Sequence, residues 1–287
     1  MCGVCEMKKN LILLFKISVV CCVFLVAAIF IAFANSKNSV AVLNYHQIND
    51  VDNNALTVSV ADFEDQMRYL KENDYKAITP EEMLAAFKNN TPLPEKSVII
   101  TFDDGYLDNY KNAYPILKKY GLKATIFVIT DYVSLYPNYV TWDELKEMQS
   151  SGIINIESHT MDHLNLLKVD KNEARLQLSG SKHWLEAHLK KPIKFLAYPE
   201  GDYNNEIINI LKDLGYEGAF TVSYAKASKD ENPYELSRVP IFGYEGNTTQ
   251  RFKLRLDFAP VFSPLEKLKK TLRYNNLGFI ADFIYVP

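Results

Sequence analysis

Cysteine is missing from everything after residue 22: all four, Cys2, Cys5, Cys21 and Cys22, crowd the start of the 287-residue chain. Their placement excludes a disulfide framework or a thiolate metal site in the remainder. The C-x-x-C spacing of Cys2 and Cys5 has no second pair or nearby histidine to complete a zinc site. An excess of positive charge is missing too. With 32 Lys and Arg against 35 Asp and Glu, the chain carries a formal charge of −3 and no electrostatic footprint for a polyanion, which excludes nucleic acid as an expected partner. Histidine is scarce, at five residues, and none follows His188. No internal repeat or low-complexity tract is visible. At 48% hydrophobic residues, the chain has enough apolar surface for one large core or two small ones.

Long apolar runs are absent with one exception. Ile17 to Ala34 is uninterrupted by charge and follows Lys8, Lys9 and Lys16. At about 1.5 Å per residue such a helix nearly matches the hydrocarbon thickness, and the leading lysines favour an N-terminus on the inner side. Ala32-Phe33-Ala34 resembles a small-x-small cleavage site, but the run is longer than the ~7 to 15 residues of a usual signal-peptide core. Residues 1–36 are therefore expected to form a signal anchor in the cell membrane, with a cleaved signal peptide as the alternative. The functional domain is expected over 37–248, followed by a C-terminal extension over 249–287. That domain should lie outside the cytoplasm, and a disulfide-free exported domain fits a bacterial surface protein.

The remaining sequence alternates strand and helix patterns. Val40 to His46 reads as a first strand ending in a histidine. Residues 61–73 and 79–88 read as helices, the second opened by Thr79-Pro80-Glu81-Glu82 with proline in the first turn. Ser97 to Phe102 is a β-branched run suited to a strand covered on both faces. After it Tyr106, Tyr110, Tyr114 and Leu117 keep one helical face, with Pro115 expected to kink or restart the helix. Strands follow at 123–129, 153–157, 194–198, 218–222 and 238–242. Between them lie helices at 141–150, where Thr141 and Glu144 form a capping-box pattern, at 170–189 and at 204–214. This alternation predicts a parallel α/β sheet or barrel with its site at the carboxyl ends of the strands. Beyond 248, Phe252, Leu254, Leu256 and Phe258 alternate like an edge strand, and 264–273 reads as a basic amphipathic helix with a solvated face.

The central strand ends in Asp103, Asp104 and Gly105. Two adjacent acids beside a hydrophobic core need a cation, a proton or hydrogen bonds to compensate them, although such a pair also serves as a simple strand-to-turn cap. His159 and His163 stand four apart, a spacing that lets both imidazoles reach one point from a single helical turn. Asp104, His159 and His163 together suit Zn2+ or another first-row divalent ion with open positions. An ion held there would activate water and polarise a carbonyl, leaving Asp103 free to act as the base. His46, at the end of its strand, is the candidate acid. His183 and His188 have charged neighbours and read as surface residues. A zinc protease fits poorly, since Met161 and Asp162 occupy the interval where His-Glu-x-x-His needs its glutamate.

Thr101-Phe102-Asp103-Asp104-Gly105 and His159-Thr160-Met161-Asp162-His163 resemble the first two motifs of the polysaccharide deacetylases, also called the NodB-homology or carbohydrate esterase family 4 enzymes. The resemblance spans residues 40–245. It implies a distorted (β/α) barrel, with Asp103 as base, Asp104, His159 and His163 as metal ligands, and removal of N-acetyl or O-acetyl groups from glycans. The third motif reads Ala197-Tyr198-Pro199-Glu200-Gly201, where the family commonly has arginine at the first position and an aromatic at the fourth. In it Tyr198, Pro199 and Glu200 correspond to the substrate and oxyanion segment, with the Glu200 N–H as donor. Arg238 is the expected substitute for the missing arginine. The family's late Leu-x-His motif has no counterpart. Leu43-Asn44-Tyr45-His46-Gln47-Ile48 is similar to the N-terminal signature of the poly-β-1,6-N-acetylglucosamine deacetylase branch, which implies that His46 takes over as acid. Trp142, Tyr198 and Tyr203 are candidates to line a sugar groove, with core packing the commoner role for any single one. Poly-N-acetylglucosamine, peptidoglycan and chitin-like glycans all remain open as substrates, beside an O-acetyl esterase or a catalytically silent glycan-binding module on the same fold.

Overall fold

The computed structural model describes residues 15, 16, 18–20, 23, 26, 27, 29–32, 38–243, 249–275 and 277–287. The chain divides into two units, Met1–Lys37 and Asn38–Pro287. In the first unit the described residues are helical, and among the described residues no helix is long and apolar enough to cross a membrane. The rest of the expected anchor segment lies outside the described residues.

In the second unit the strands are β1 (Ser39–Tyr45), β2 (Gln47–Ile48), β3 (Thr57–Val58), β4 (Lys76–Ala77), β5 (Ser97–Phe102), β6 (Ala124–Val128), β7 (Ile154–Ser158), β8 (Phe195–Ala197), β9 (Gly218–Tyr224), β10 (Ala227–Ser228) and β11 (Leu236–Pro240). β1 pairs in parallel with both β5 and β11, which closes β1, β5, β6, β7, β8, β9 and β11 into a parallel barrel. β4 extends β5 in parallel, β10 pairs antiparallel with β1, and β2 and β3 form a separate pair. This is the (β/α) barrel that the family resemblance implies, one of the two arrangements, sheet or barrel, that the alternation allows.

The two-residue period of each strand sorts its side chains. Val40, Val42, Ile99, Phe127, Phe195, Ala197, Phe220 and Leu236 share one buried cluster inside the barrel. Their neighbours Ala41, Leu43, Tyr45, Val98, Ile100 and Phe102 belong to a second cluster with Phe63, Met67 and Leu70 of helix Val60–Glu72. Tyr45, Phe63 and Phe102 pack ring to ring at centroid distances of 5.3, 5.5 and 5.7 Å, and the Tyr45 hydroxyl donates to Gln66 Oε1 at 2.7 Å. Fully burying such a ring contributes roughly 1.5–3 kcal/mol, so this trio anchors the two strand ends that carry His46 and Asp103.

One seam is thin. β7 and β8 pair only at Ser158 and Leu196, and the buried Glu157 carboxylate fills the gap. It accepts from the Lys194 and Phe195 N–H groups, each at 2.8 Å, and pairs with Lys191 Nζ at 2.9 Å.

Several expectations are corrected. Residues 252–258 are not an edge strand: Thr249–Asp257 is a helix, whose buried Phe252 and Leu256 stand at helical i, i+4 spacing. Its Asp257 accepts hydrogen bonds from the hydroxyls of Tyr69, at 3.2 Å, and Tyr75, which ties it to the barrel unit. The predicted strand at 238–242 begins earlier, at Leu236. Before Pro115 the chain makes a π-turn over Asn109–Ala113 and then restarts as helix Tyr114–Tyr120, which accommodates a residue lacking an N–H.

Candidate metal and catalytic site

Above the apolar floor the inward-facing positions turn polar. On β5 the inward parity of Ile99 and Thr101 continues to Asp103, and on β11 that of Leu236 continues to Arg238. Between Leu236 and Arg238 the pairing with β9 shifts from Phe220 to Tyr224, a bulge of the kind that re-aims side chains next to sites. Arg238 is 0% exposed. Its Nη1 and Nη2 donate to Asp103 Oδ1 and Oδ2, both at 2.7 Å, and its Nε donates to the Thr221 carbonyl at 2.8 Å. A planar guanidinium held at three points fixes both carboxylate oxygens. Burial works to raise the Asp103 pKa, but the charges of Arg238 and His159 outweigh it and hold the carboxyl well below the usual carboxylate range.

Immediately after Asp103 the backbone turns back. Asp104 has φ 72° and Gly105 φ 80°, and a Cβ on Gly105 would lie 3.3 Å from Val128 Cγ1. Glycine meets both demands there. The turn swings the Asp104 carboxylate toward the loop after β7. The helical turn expected for the histidine pair is absent. His159 to His163 is a loop in which Thr160 (φ 70°) and His163 (φ 63°) are left-handed and Thr160 Oγ1 accepts from the His163 N–H at 3.1 Å. This tight turn brings the two imidazole centroids to 4.8 Å.

Candidate ligand atoms of Asp104, His159 and His163 all lie within 4.8 Å of one another. His159 Nδ1 lies 2.8 Å from the Ala197 carbonyl, which can only accept, so in the neutral ring the lone pair is on Nε2. That nitrogen faces Asp104 Oδ1 at 3.3 Å, and His163 Nε2 is 3.7 Å from the same oxygen. Asp104 Oδ1 is buried with no hydrogen-bond partner. Acceptors converging on a buried, unsatisfied carboxylate oxygen are the arrangement a divalent cation completes, and a carboxylate with two imidazoles suits zinc.

His46 follows β1 directly, and its carbonyl accepts from Asn109 Nδ2 at 2.8 Å. Burial lowers its pKa, while Asp103 and Asp104 pull the other way. The structure thus brings His46, Asp103, Asp104, His159, His163 and Arg238 to one end of the barrel.

The third-motif residues divide. The Tyr198 side chain is 1% exposed and its hydroxyl donates to the Tyr234 carbonyl at 2.9 Å. It packs on Tyr203 at 4.9 Å, and Trp142 stacks on His188 at 3.9 Å. Pro199 is buried, and Glu200 is left-handed at φ 57°. The Glu200 carboxylate accepts from Asn165 Nδ2 at 2.6 Å and from Lys168 Nζ at 3.4 Å, and the Asn165 bond is the main cause of its lowered pKa. Asn109 and Asn165 escape sequence reasoning because single asparagines in polar segments carry no spacing signal.

The polysaccharide deacetylase family model matches residues 90–219. Together with the relatives below, it places the chain in the polysaccharide deacetylase family, hydrolases that remove acetyl groups from polysaccharides. YxkH of Bacillus subtilis is 38% identical over 200 residues, 70% of each chain. The poly-β-1,6-N-acetyl-D-glucosamine N-deacetylase of Staphylococcus aureus is 34% identical over 232 residues, 71% of this chain and 79% of its own length. Among solved structures, the Streptococcus pyogenes deacetylase PplD in complex with acetate aligns with a TM-score of 0.71 at 29% identity, over 76% of this chain and 98% of its own.

Proposed function

We propose that the protein removes N-acetyl groups from N-acetylglucosamine units of an extracellular or cell-wall polysaccharide, with a β-1,6-linked polymer as its preferred substrate. The observation that carries the reading is the Arg238-clamped Asp103 beside the unsatisfied Asp104 oxygen and its two imidazoles. The likeness to the Staphylococcus aureus enzyme supports the choice of polymer.

Asp104, His159 and His163 would hold a divalent ion, Zn2+ by donor type. When bound it supplies an acidified water and a polarised acetyl carbonyl. Asp103 accepts the proton of the attacking water. Its depressed pKa keeps it ionised throughout the working pH range, and the guanidinium keeps its free lone pairs aimed into the site. The water oxygen attacks the acetyl carbon, the carbon–nitrogen bond breaks, and His46 protonates the departing amine. The Glu200 N–H is assigned to the developing oxyanion. Acetate and a glucosamine unit leave. The lysine-led apolar run at Ile17 to Ala34 supports a location of this domain outside the cytoplasm.

Acetate release by the full chain from poly-β-1,6-N-acetylglucosamine, peptidoglycan, chitin oligomers and acetylated xylan tests the reading, with and without chelator. The expected result is chelator-sensitive release, fastest from the β-1,6 polymer. Release from xylan alone would reassign the protein as an ester hydrolase.

A further inference from the structure

Four tyrosines cluster on the segments that follow Asp104 and β6. Tyr106 and Tyr139 stack at 5.0 Å and an interplanar angle of 25°, Tyr132 meets Tyr139 edge-on at 4.9 Å, and Tyr136 lies 6.2 Å from Tyr139. The segment that carries three of them is strapped to both ligand-bearing loops. Leu107 N donates to the Asn138 carbonyl and Val140 N to that of Gly105, while Thr130 N and Asp131 N donate to the carbonyls of Thr160 and Met161, all at 2.8 to 3.2 Å. Tyr106 follows Asp104 by two residues and bridges antiparallel to Tyr139, which sets the stacked pair beside the ligand-bearing turn.

The row does not end in the core. Tyr136 is 48% exposed and its neighbour Leu135 is 67% exposed, apolar surface that no packing requirement of the barrel explains. Building on the deacetylase reading, we infer that Tyr139, Tyr136 and Leu135 form a platform for the sugar ring adjacent to the unit being deacetylated, so that the enzyme selects polymer over single sugars. A pyranose face presents slightly positive C–H groups, and a tyrosine face is negative while its hydroxyl offers a polar handle to the ring substituents. The row leads outward from Tyr106 beside Asp104, so a unit reacting at the site leaves the platform to its neighbour along the same chain. Because Leu135 and Tyr136 are exposed and remote from the barrel core, their truncation does not threaten folding.

The test compares wild type with the Leu135→Ala/Tyr136→Ala double variant on a small acetate ester, on monomeric N-acetylglucosamine and on N-acetylglucosamine pentamers. The expected result is a rise of about tenfold in the pentamer KM with kcat kept. Ester and monosaccharide kinetics should be unchanged, and Tyr136→Trp should keep the wild-type pentamer KM. An unchanged pentamer KM, or equal losses on all three substrates, overturns the platform while leaving the deacetylase reading intact. Should wild type hydrolyse only the ester, the deacetylase reading fails. The platform is then judged by calorimetric pentamer binding, where equal affinity in wild type and the double variant overturns it.

Discussion

Asp103 and Arg238 stand 135 positions apart in sequence and share two 2.7 Å hydrogen bonds inside the barrel. Lysine cannot reproduce that fork, because a point charge on a flexible stem fixes one oxygen at most. Arg238→Lys should therefore lower kcat by about a hundredfold, the scale of a misplaced catalytic group, with a smaller change in KM. Arg238→Met leaves a buried carboxylate without its partner and should cost about 3–5 kcal/mol in denaturant unfolding. The pair also sets an acid limit. Because the folded-state pKa of Asp103 is depressed, its stabilisation is fully present above the ordinary carboxylate value near 4 and is lost as pH falls through the lower folded value. Wild type should thus lose stability below about pH 4 more steeply than Asp103→Asn, as read by chemical denaturation across that range.

At the scale of elements, the loop after β7 decides whether a metal site exists. Thr160 is β-branched and left-handed at φ 70°, a conformation it tolerates while its hydroxyl accepts the His163 N–H. Thr160→Gly removes the backbone strain together with that hydrogen bond. Metal titration should show a ten- to hundredfold loss of zinc affinity, about the effect of losing an outer-shell partner, with little change in the unfolding midpoint of the metal-free protein. This loop also marks where sequence reasoning fell short. The four-residue spacing of His159 and His163 suits a helical turn, but the chain meets the same demand with two left-handed residues. Helix Thr249–Asp257 was illegible for a related reason: its apolar residues recur at both two and four positions, and only burial of Phe252 and Leu256 selects the period.

For the whole molecule, the converging ligand atoms sit on a barrel that is already closed by backbone pairing and packed around two hydrophobic clusters. Metal should therefore stabilise a preformed fold and not create one. At free zinc about a hundred times its Kd the gain should be about 2.7 kcal/mol, visible as a rise in melting temperature that chelator reverses. His163→Ala should lose most of that rise while keeping the metal-free melting temperature, since its side chain is 33% exposed and bears little packing.

By itself the sequence determined the class of fold and the chemical kit. Runs of β-branched residues between capped helices specify a parallel α/β fold locally, sheet or barrel, and carboxylates and imidazoles at strand ends announce metal chemistry through side-chain type alone. Tertiary structure decided the pairings: Arg238, which the sequence offered as a substitute arginine, with Asp103, and the Ala197 carbonyl with His159. Those contacts join residues far apart in the chain, and the barrel's closure and strand register, which no local pattern encodes, determine which side chains meet.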